Sequence, residues 1–369
     1  MTCLLLAGGG HAHVHVLAAL ARAPMAGADV TLVTPFARQM YSGMLPGWVA
    51  GHYAVDQIVI PLPALAAAAK VRLIEGRIVA LDAGARRATL ADGQVLDYDI
   101  LSLDTGPVMD RDAIPGAREH ALFLRPVEHF VTLFEALLQR AAASALDLAV
   151  VGGGAAGVEI ALALAWRLQQ TATGSRVSLV AGADGPLAGF AAGVRRPVLK
   201  ALRERRVTLL AQDCSAIEAA YLQLSGGTRL ACDVPLLAIG TNAPPWLRGS
   251  GLALDERGFV ATGPTLQSAS HPEVFAVGDV ATRRDAPHPK SGVYAVRAGP
   301  PLALNLKRAL AGQALQPYMP QRRTLYLLST GPKHAVASWG RWSTSGRWVW
   351  WWKDHIDRRF IARYASPPG

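Results

Sequence analysis

Two stretches of the chain repeat one pattern of apolar and polar positions. Cys3-Leu4-Leu5-Leu6-Ala7 is a short, continuous apolar run, as in a strand covered on both faces. Gly8-Gly9-Gly10 breaks the run, and apolar residues then return at helical spacing from His11 to Ala23. Residues 29–33 form another apolar run. The second copy has the run Leu148-Ala149-Val150-Val151, the break Gly152-Gly153-Gly154-Ala155-Ala156-Gly157, a helical pattern through Gln169, and the run 176–180. Each copy predicts a strand, a tight turn, a helix and a parallel strand.

The copies also close alike. Residues 97–103 run into Asp104-Thr105-Gly106, and residues 232–239 run into Gly240-Thr241. A further apolar run, Val274-Phe275-Ala276-Val277, leads into Gly278-Asp279. The fold class implied is α/β, with two Rossmann-like dinucleotide-binding domains, one inserted in the other, plus a C-terminal segment. The first domain is expected over residues 1–118 and 250–325, the inserted one over 119–249, and the C-terminal segment over 326–369. A length of 369 residues suits two or three domains.

Composition narrows the picture. The chain is 51% apolar and only 17% charged, which fits a large core and excludes a disordered chain. Its formal charge of +10 is compatible with nucleic acid, an anionic membrane face or anionic cofactors. No recognition-helix or zinc-finger pattern supports nucleic acid, and none is expected as a partner. Cys3, Cys214 and Cys232 form no CxxC or CxxxxC pair, so neither a thiol redox motif nor a zinc ribbon is expected. Their low count suits a reducing compartment, and a cytoplasmic location is expected. The N-terminus lacks the charged start of a signal peptide, and no run of 18 apolar residues predicts a membrane-spanning helix.

The glycines carry the chemistry. A diphosphate needs a strand that turns sharply into a helix, with backbone N–H groups and the positive end of the helix facing it. Gly152, Gly154 and Gly157 meet this need, with the small Ala161 for helix packing. In the first loop Gly8 and Gly10 fit, but His13 stands at the third glycine position, which implies a displaced helix. The acid that binds an adenosine ribose is absent from both copies. Thr34 holds the first position and can offer a hydroxyl; Ala181 or Gly182 holds the second and offers nothing. NADH and NADPH are therefore not distinguished. His11, His13 and His15 do not form a metal site, because residues two apart on a helix point about 200° apart. His11 is placed to touch a diphosphate, and no metal is expected.

With these motifs in hand, the chain resembles the pyridine nucleotide-disulfide oxidoreductase superfamily. It is most similar to the branch of type II NADH dehydrogenases and sulfide:quinone reductases, and to the flavoprotein module fused to selenophosphate synthetase in some proteins. The residues carrying the last likeness are Gly8 to Val14, Tyr41 to Gly47, Pro289 to Arg297 and Trp352 to Phe360. The resemblance implies FAD at the first loop and NAD(P)H as co-substrate at the second. It implies FAD contacts from Gly8, Gly10, His11, Thr34, Arg38, Ser42, Pro46, Thr105, Gly106, Gly278, Asp279 and Gly292, with Asp279 on the ribityl hydroxyls. NAD(P) contacts would come from Gly152, Gly154, Gly157 and Gly240. Lys290 would stabilise charge near flavin N1 and O2, and Glu159 would stand near the nicotinamide. Tyr294 and Arg297 line the acceptor side or serve helix packing. Missing cysteine pairs exclude disulfide reduction and weigh against sulfide oxidation.

The implied function is transfer of hydride from NAD(P)H to flavin and on to a quinone or other small acceptor. Two alternatives stay open: a flavoprotein acting on sulfur or selenium compounds, and a flavin-bearing assembly protein with vestigial reductase activity. The C-terminus favours a quinone. Six of nine tryptophans lie between Trp339 and Trp352, followed by Lys353, Arg358, Arg359 and Arg363. Such a segment suits an anionic membrane surface, engaged through residues 339–363 on the inner face. It equally suits a hairpin turning around Ser343 to Gly346, with tryptophans packed on the FAD domain or on a homodimer partner.

Overall fold

The computed structural model describes residues 1–170 and 173–365. The last four residues of the expected C-terminal segment, 366–369, lie outside the described residues. Two five-stranded, fully parallel sheets organise the chain. The first has the order Val274–Ala276, Ile100–Leu103, Thr2–Ala7, Ala28–Thr34, Arg72–Glu75. The second has the order Leu122–Phe123, Val234–Leu237, Asp147–Val151, Arg176–Val180, Thr208–Leu210. In each, the strand before the glycine loop lies between its closing strand and the strand after the helix. The repeat read from the sequence is thus a repeat of topology.

The central strands are buried along most of their length, as their continuous apolar runs require. Each glycine loop leads into a helix that covers its sheet: His11–Arg22 in the first copy, Ala155–Leu168 in the second. The first helix packs on a long later helix, Gly292–Leu310, at close range. A Cβ on Gly299 would come within 2.7 Å of the His15 side chain. Two small antiparallel sheets flank the parallel ones, over residues 78–97 and 214–231.

The C-terminal segment differs from the hairpin expected there. Strands Ala335–Trp339 and Trp342–Gly346 pair with Trp339 opposite Trp342, so the turn is Gly340-Arg341 and not Ser343 to Gly346. Gly340 has a φ of +60°, the left-handed conformation that a two-residue hairpin turn demands. The alternation of Trp348, Trp350 and Trp352 belongs to a helix, Arg347–Ala365. Its inner face is set by Val349, Trp350, Lys353, Asp354, Asp357, Ile361 and Tyr364, a spacing of three and four.

Candidate functional site: two glycine loops and a C-terminal helix

The first loop is built around a buried carboxylate. Gly8 has a φ of +95° and packs on the Asp104 carbonyl and Thr105 backbone, where a Cβ would come within 2.5 Å. A Cβ on Gly10 would meet the Asp104 carboxylate at 2.3–2.4 Å, and one on Gly278 would meet it at 2.8 Å. The carboxylate accepts the N–H groups of Ala12 and His13 at 2.9 and 3.0 Å. It therefore caps a helix whose own N-cap, Gly10, has no side chain to do so. Burial raises the Asp104 carboxyl to about 8, against the two backbone donors, with the charge of Asp279 adding to the rise. Asp104 was not singled out in the sequence. The signal available was an acid at the end of a closing strand, where the second copy has Ala238.

His13 explains how the loop tolerates a large side chain at the third glycine position. The ring is fully buried, with Nδ1 2.6 Å from the Gly8 carbonyl and Nε2 2.8 Å from Ser102 Oγ. Burial holds it neutral, with its pKa lowered to about 4. A carbonyl can only accept, so the proton sits on Nδ1 and the Ser102 hydroxyl donates to Nε2. The side chain thus ties the turn to the closing strand.

Some of the expected FAD residues lie beside this loop, and others stand apart from it. Thr105 lies against Gly8, and Gly106, with φ +69°, follows it. Gly278, with φ +66°, lies against Asp104 and leads into Asp279. Burial raises the Asp279 carboxyl, opposed by the charges of Arg125 and Lys290. Ser42 faces Gly292, where a Cβ would lie 3.9 Å from its hydroxyl, and Pro46 is buried in the next turn of chain. His11 stands edge-on to Tyr41 at 5.5 Å, and Tyr41 stacks on Phe360 at 4.4 Å. Arg38 is exposed near Glu128. Thr34 is buried, and its hydroxyl donates to the Phe36 carbonyl. Lys290 donates to the Ala281 carbonyl and, at 2.8 Å, to Thr282 Oγ1, with its Nζ 3.9 Å from the centre of the Phe259 ring. Burial lowers its pKa to about 8. Tyr294 is buried against His288 and accepts from the Thr324 hydroxyl, whereas Arg297 is exposed.

Two polar atoms test whether this site fits a cofactor. His11 Nε2 and Ser291 Oγ are buried without a hydrogen-bond partner among the described residues. Buried polar groups are seldom left unpaired, so each of these atoms is suited to a polar partner that the chain does not supply. The site fits FAD on this ground.

The second loop repeats the first without its acid. Gly152, at φ +133°, packs on the Ala238 carbonyl, and Gly157 packs on the Gly152 carbonyl. The helix after Gly154 has no side-chain cap and no acid in its first turn. Its positive end is therefore left for an anion. In front of it lies a cavity of about 320 Å³, floored by Gly153, Gly154 and Gly182. Gly240 is exposed after the closing strand.

Glu159 sits further along the same helix and accepts the Ser329 N–H at 2.7 Å. Burial raises it to about 7, opposed by the charge of Lys353. Lys353 on the C-terminal helix donates to the Gly43 carbonyl at 2.6 Å and to Asp357 at 2.5 Å. Tyr41 donates to the other Asp357 oxygen, and Tyr53 donates to Asp354, which also pairs with Arg358. The C-terminal helix is thereby pinned to the segment holding Ser42 and Pro46. Its outer face is different: Trp348, Trp351, Trp352 and Ile356 are exposed, as are Trp339 and Trp342 on the hairpin. Both acids of the helix face inward, whereas Arg341, Arg347, Arg358, Arg359 and Arg363 are exposed.

Two parallel sheets, each with a glycine loop at the start of a helix, define a two-dinucleotide fold. The chain belongs to the pyridine nucleotide-disulphide oxidoreductase family, whose model matches residues 4–299. Membership implies FAD and NAD(P)H as its cofactors. The chain is 31% identical over 224 residues to the alternative NAD(P)H-ubiquinone oxidoreductase C1 of Arabidopsis thaliana, spanning 53% of this chain and 42% of that protein. It thus covers less than half the length of that relative. It is 25% identical over 347 residues to the demethylphylloquinone reductase NdbB of Synechocystis, spanning 89% of this chain and 85% of that protein. Among solved structures it is similar to NDH2 of Plasmodium falciparum in complex with NADH, at a TM-score of 0.80 and 12% identity, covering 100% of this chain and 99% of that one. At that identity the likeness concerns the fold. The three cysteines are free and apart: Cys3 exposed, Cys214 half-buried, Cys232 buried with its thiol pushed up to about 12.

Proposed function

We propose that this protein is an FAD-dependent oxidoreductase that takes reducing equivalents from NAD(P)H and delivers them to a quinone. The observation that carries the reading is the unequal pair of loops. One is followed directly by His11, whose Nε2 is buried and unmatched; the other opens an uncapped helix end onto a cavity of about 320 Å³. Flavin, when bound, supplies the redox chemistry, and the chain supplies position and field. The proposed division of labour is an FAD domain over residues 1–118 and 250–325, an NAD(P) domain over 119–249, and an acceptor-side segment over 326–369.

Gly8, Gly10 and the first helix hold the diphosphate of FAD, and Thr105, Gly106, Gly278 and Asp279 flank it. Thr34 and Arg38 stand toward the adenosine end. Ser42, Pro46 and Gly292 flank the ring end. Lys290 keeps a positive charge close to Asp279 and would stabilise negative charge on a flavin bound there, a charge-assisted contact worth roughly 1.5–3 kcal/mol. Gly152, Gly154, Gly157 and Gly240 line the path of the nicotinamide dinucleotide. Glu159, expected near the nicotinamide, accepts from Ser329 and feels the charge of Lys353, both of the C-terminal segment, and this favours a role on the acceptor side, holding a proton near neutral pH.

A quinone is favoured by the names of two relatives, a ubiquinone oxidoreductase and a demethylphylloquinone reductase. The exposed tryptophans and arginines of the C-terminal hairpin and helix suit peripheral attachment to an anionic membrane on the cytoplasmic side. No described helix is long and apolar enough to cross a membrane. The likeness to the module fused to selenophosphate synthetase rests on the sequence motifs alone. Sulfur or selenium chemistry gains no support from the cysteines, which form no disulfide. Anaerobic mixing of the FAD-loaded protein with NADH or NADPH, followed by a soluble quinone, tests the reading. Loss and then return of the flavin's visible absorbance is expected. Absence of bleaching by either nicotinamide would overturn it: bleaching only by a sulfur or selenium donor would then favour that alternative, and bleaching by no donor the assembly-protein alternative.

A further inference from the structure

The second loop lacks a ribose acid in sequence, yet its cavity is lined by two carboxylates, Asp184 and Asp213. In a dinucleotide fold, the end of the strand after the glycine-loop helix faces the adenosine ribose, and an acid there binds the 2′-hydroxyl. Here that strand, Arg176–Val180, ends in Ala181 and Gly182. Gly182 has a φ of +76°, and a Cβ placed on it would lie 3.2 Å from Asp213 Oδ1. Asp213 follows the neighbouring strand, Thr208–Leu210, and its carboxylate stands where a side chain from position 182 would begin. Asp184 borders the same cavity from the turn after Gly182.

We infer that Asp213, with Asp184, replaces the missing ribose acid and makes this site select the dinucleotide without a 2′-phosphate. The inference rests on the nicotinamide reading above and specifies which nicotinamide is used. Both carboxylates are exposed, and neither has an ion-pair partner within 4 Å among the described residues. They are free to accept from a ribose diol. No lysine or arginine lines the cavity. The Arg195 guanidinium stands beside the turn that carries Asp184, where it would lie 3.9 Å from a Cβ on Gly185. A 2′-phosphate would thus meet two like charges at the mouth of the site and no cation on its wall. Like-charge juxtaposition of this kind is expected to separate the two ligands by on the order of 100-fold.

Titration calorimetry on the FAD-loaded protein with ADP-ribose and with its 2′-phosphate reads the preference without any turnover. The wild type should bind ADP-ribose on the order of 100-fold more tightly, and the gap should narrow in high salt because the carboxylates are exposed. The double variant Asp184→Asn, Asp213→Asn should bind the 2′-phosphate more tightly than the wild type does, by roughly tenfold. A gain of that kind does not arise from a damaged fold. Equal binding by the wild type, or an unchanged ratio in the double variant, would overturn the assignment. A preference for the 2′-phosphate that disappears in Arg195→Gln would overturn it in favour of Arg195. Binding of neither ligand, together with no bleaching of the flavin by either nicotinamide, would remove the nicotinamide reading itself; bleaching by NADPH alone would remove only this inference.

Discussion

His13 gives a quantitative test of how the first loop is held. Replacing it with alanine removes the bonds to the Gly8 carbonyl, at 2.6 Å, and from Ser102 Oγ, at 2.8 Å. The site is fully buried, so water does not readily replace the ring. A buried polar group left unsatisfied costs about 1–3 kcal/mol, so losing this bridge, with the void it leaves, is expected to cost about 3 kcal/mol. A second signature comes from pH. The folded pKa of His13 is depressed from 6.5 to about 4. Between those values the unfolded chain binds a proton that the folded chain refuses. The stabilisation is complete above 6.5 and is lost as pH falls toward 4, a difference of ~3 kcal/mol. His11 and His15 are depressed into the same window, so the wild type should show a steep acid limb and His13→Ala a shallower one. Urea denaturation of the FAD-saturated protein across this pH range measures both effects. A loss below ~0.5 kcal/mol at neutral pH, or parallel acid limbs, would refute the bridging role.

Asp104→Asn should act in the opposite pH direction. Because the folded carboxyl is raised from 3.8 to about 8, the wild type loses stability as pH rises through that window, and the asparagine variant should be the more stable one at about pH 9 by denaturant midpoint. Glu159→Gln should leave flavin reduction by nicotinamide nearly intact but flatten the pH dependence of quinone-linked turnover near 7, read by steady-state rates across pH. Replacing Trp348 and Trp351 together with serine should lower co-sedimentation with anionic vesicles by at least about tenfold while leaving the melting temperature nearly unchanged, since both side chains are more than half exposed.

The parallel sheets were legible because their strands are covered on both faces and so read as unbroken apolar runs, as at Leu4 to Ala7 and Leu148 to Val151. Thr208–Leu210 escaped notice because it is a short edge strand whose residues are mostly exposed. The tryptophan segment was ambiguous because Trp348, Trp350 and Trp352 obey a two-residue period, whereas the helix is set by its buried charges Lys353, Asp354 and Asp357. Those residues look like a solvated face until Gly43, Tyr41 and Tyr53 are brought to them from 300 or more positions away. Asp104 and Asp213 were missed for a related reason. Each acts on a glycine that is distant in sequence, Gly10 or Gly182, and neither falls at a motif position. The glycine loops themselves were plain; which groups serve them was decided by the strands alongside.

The central claim is that electrons enter at the second loop, reach FAD at the first, and leave to a quinone. Stopped-flow absorbance of the FAD-loaded protein, mixed anaerobically with NADH and then with a soluble quinone, tests it most directly. The account predicts bleaching of the flavin by NADH and its recovery on quinone addition. A flavin that NADH and NADPH both leave oxidised would contradict it.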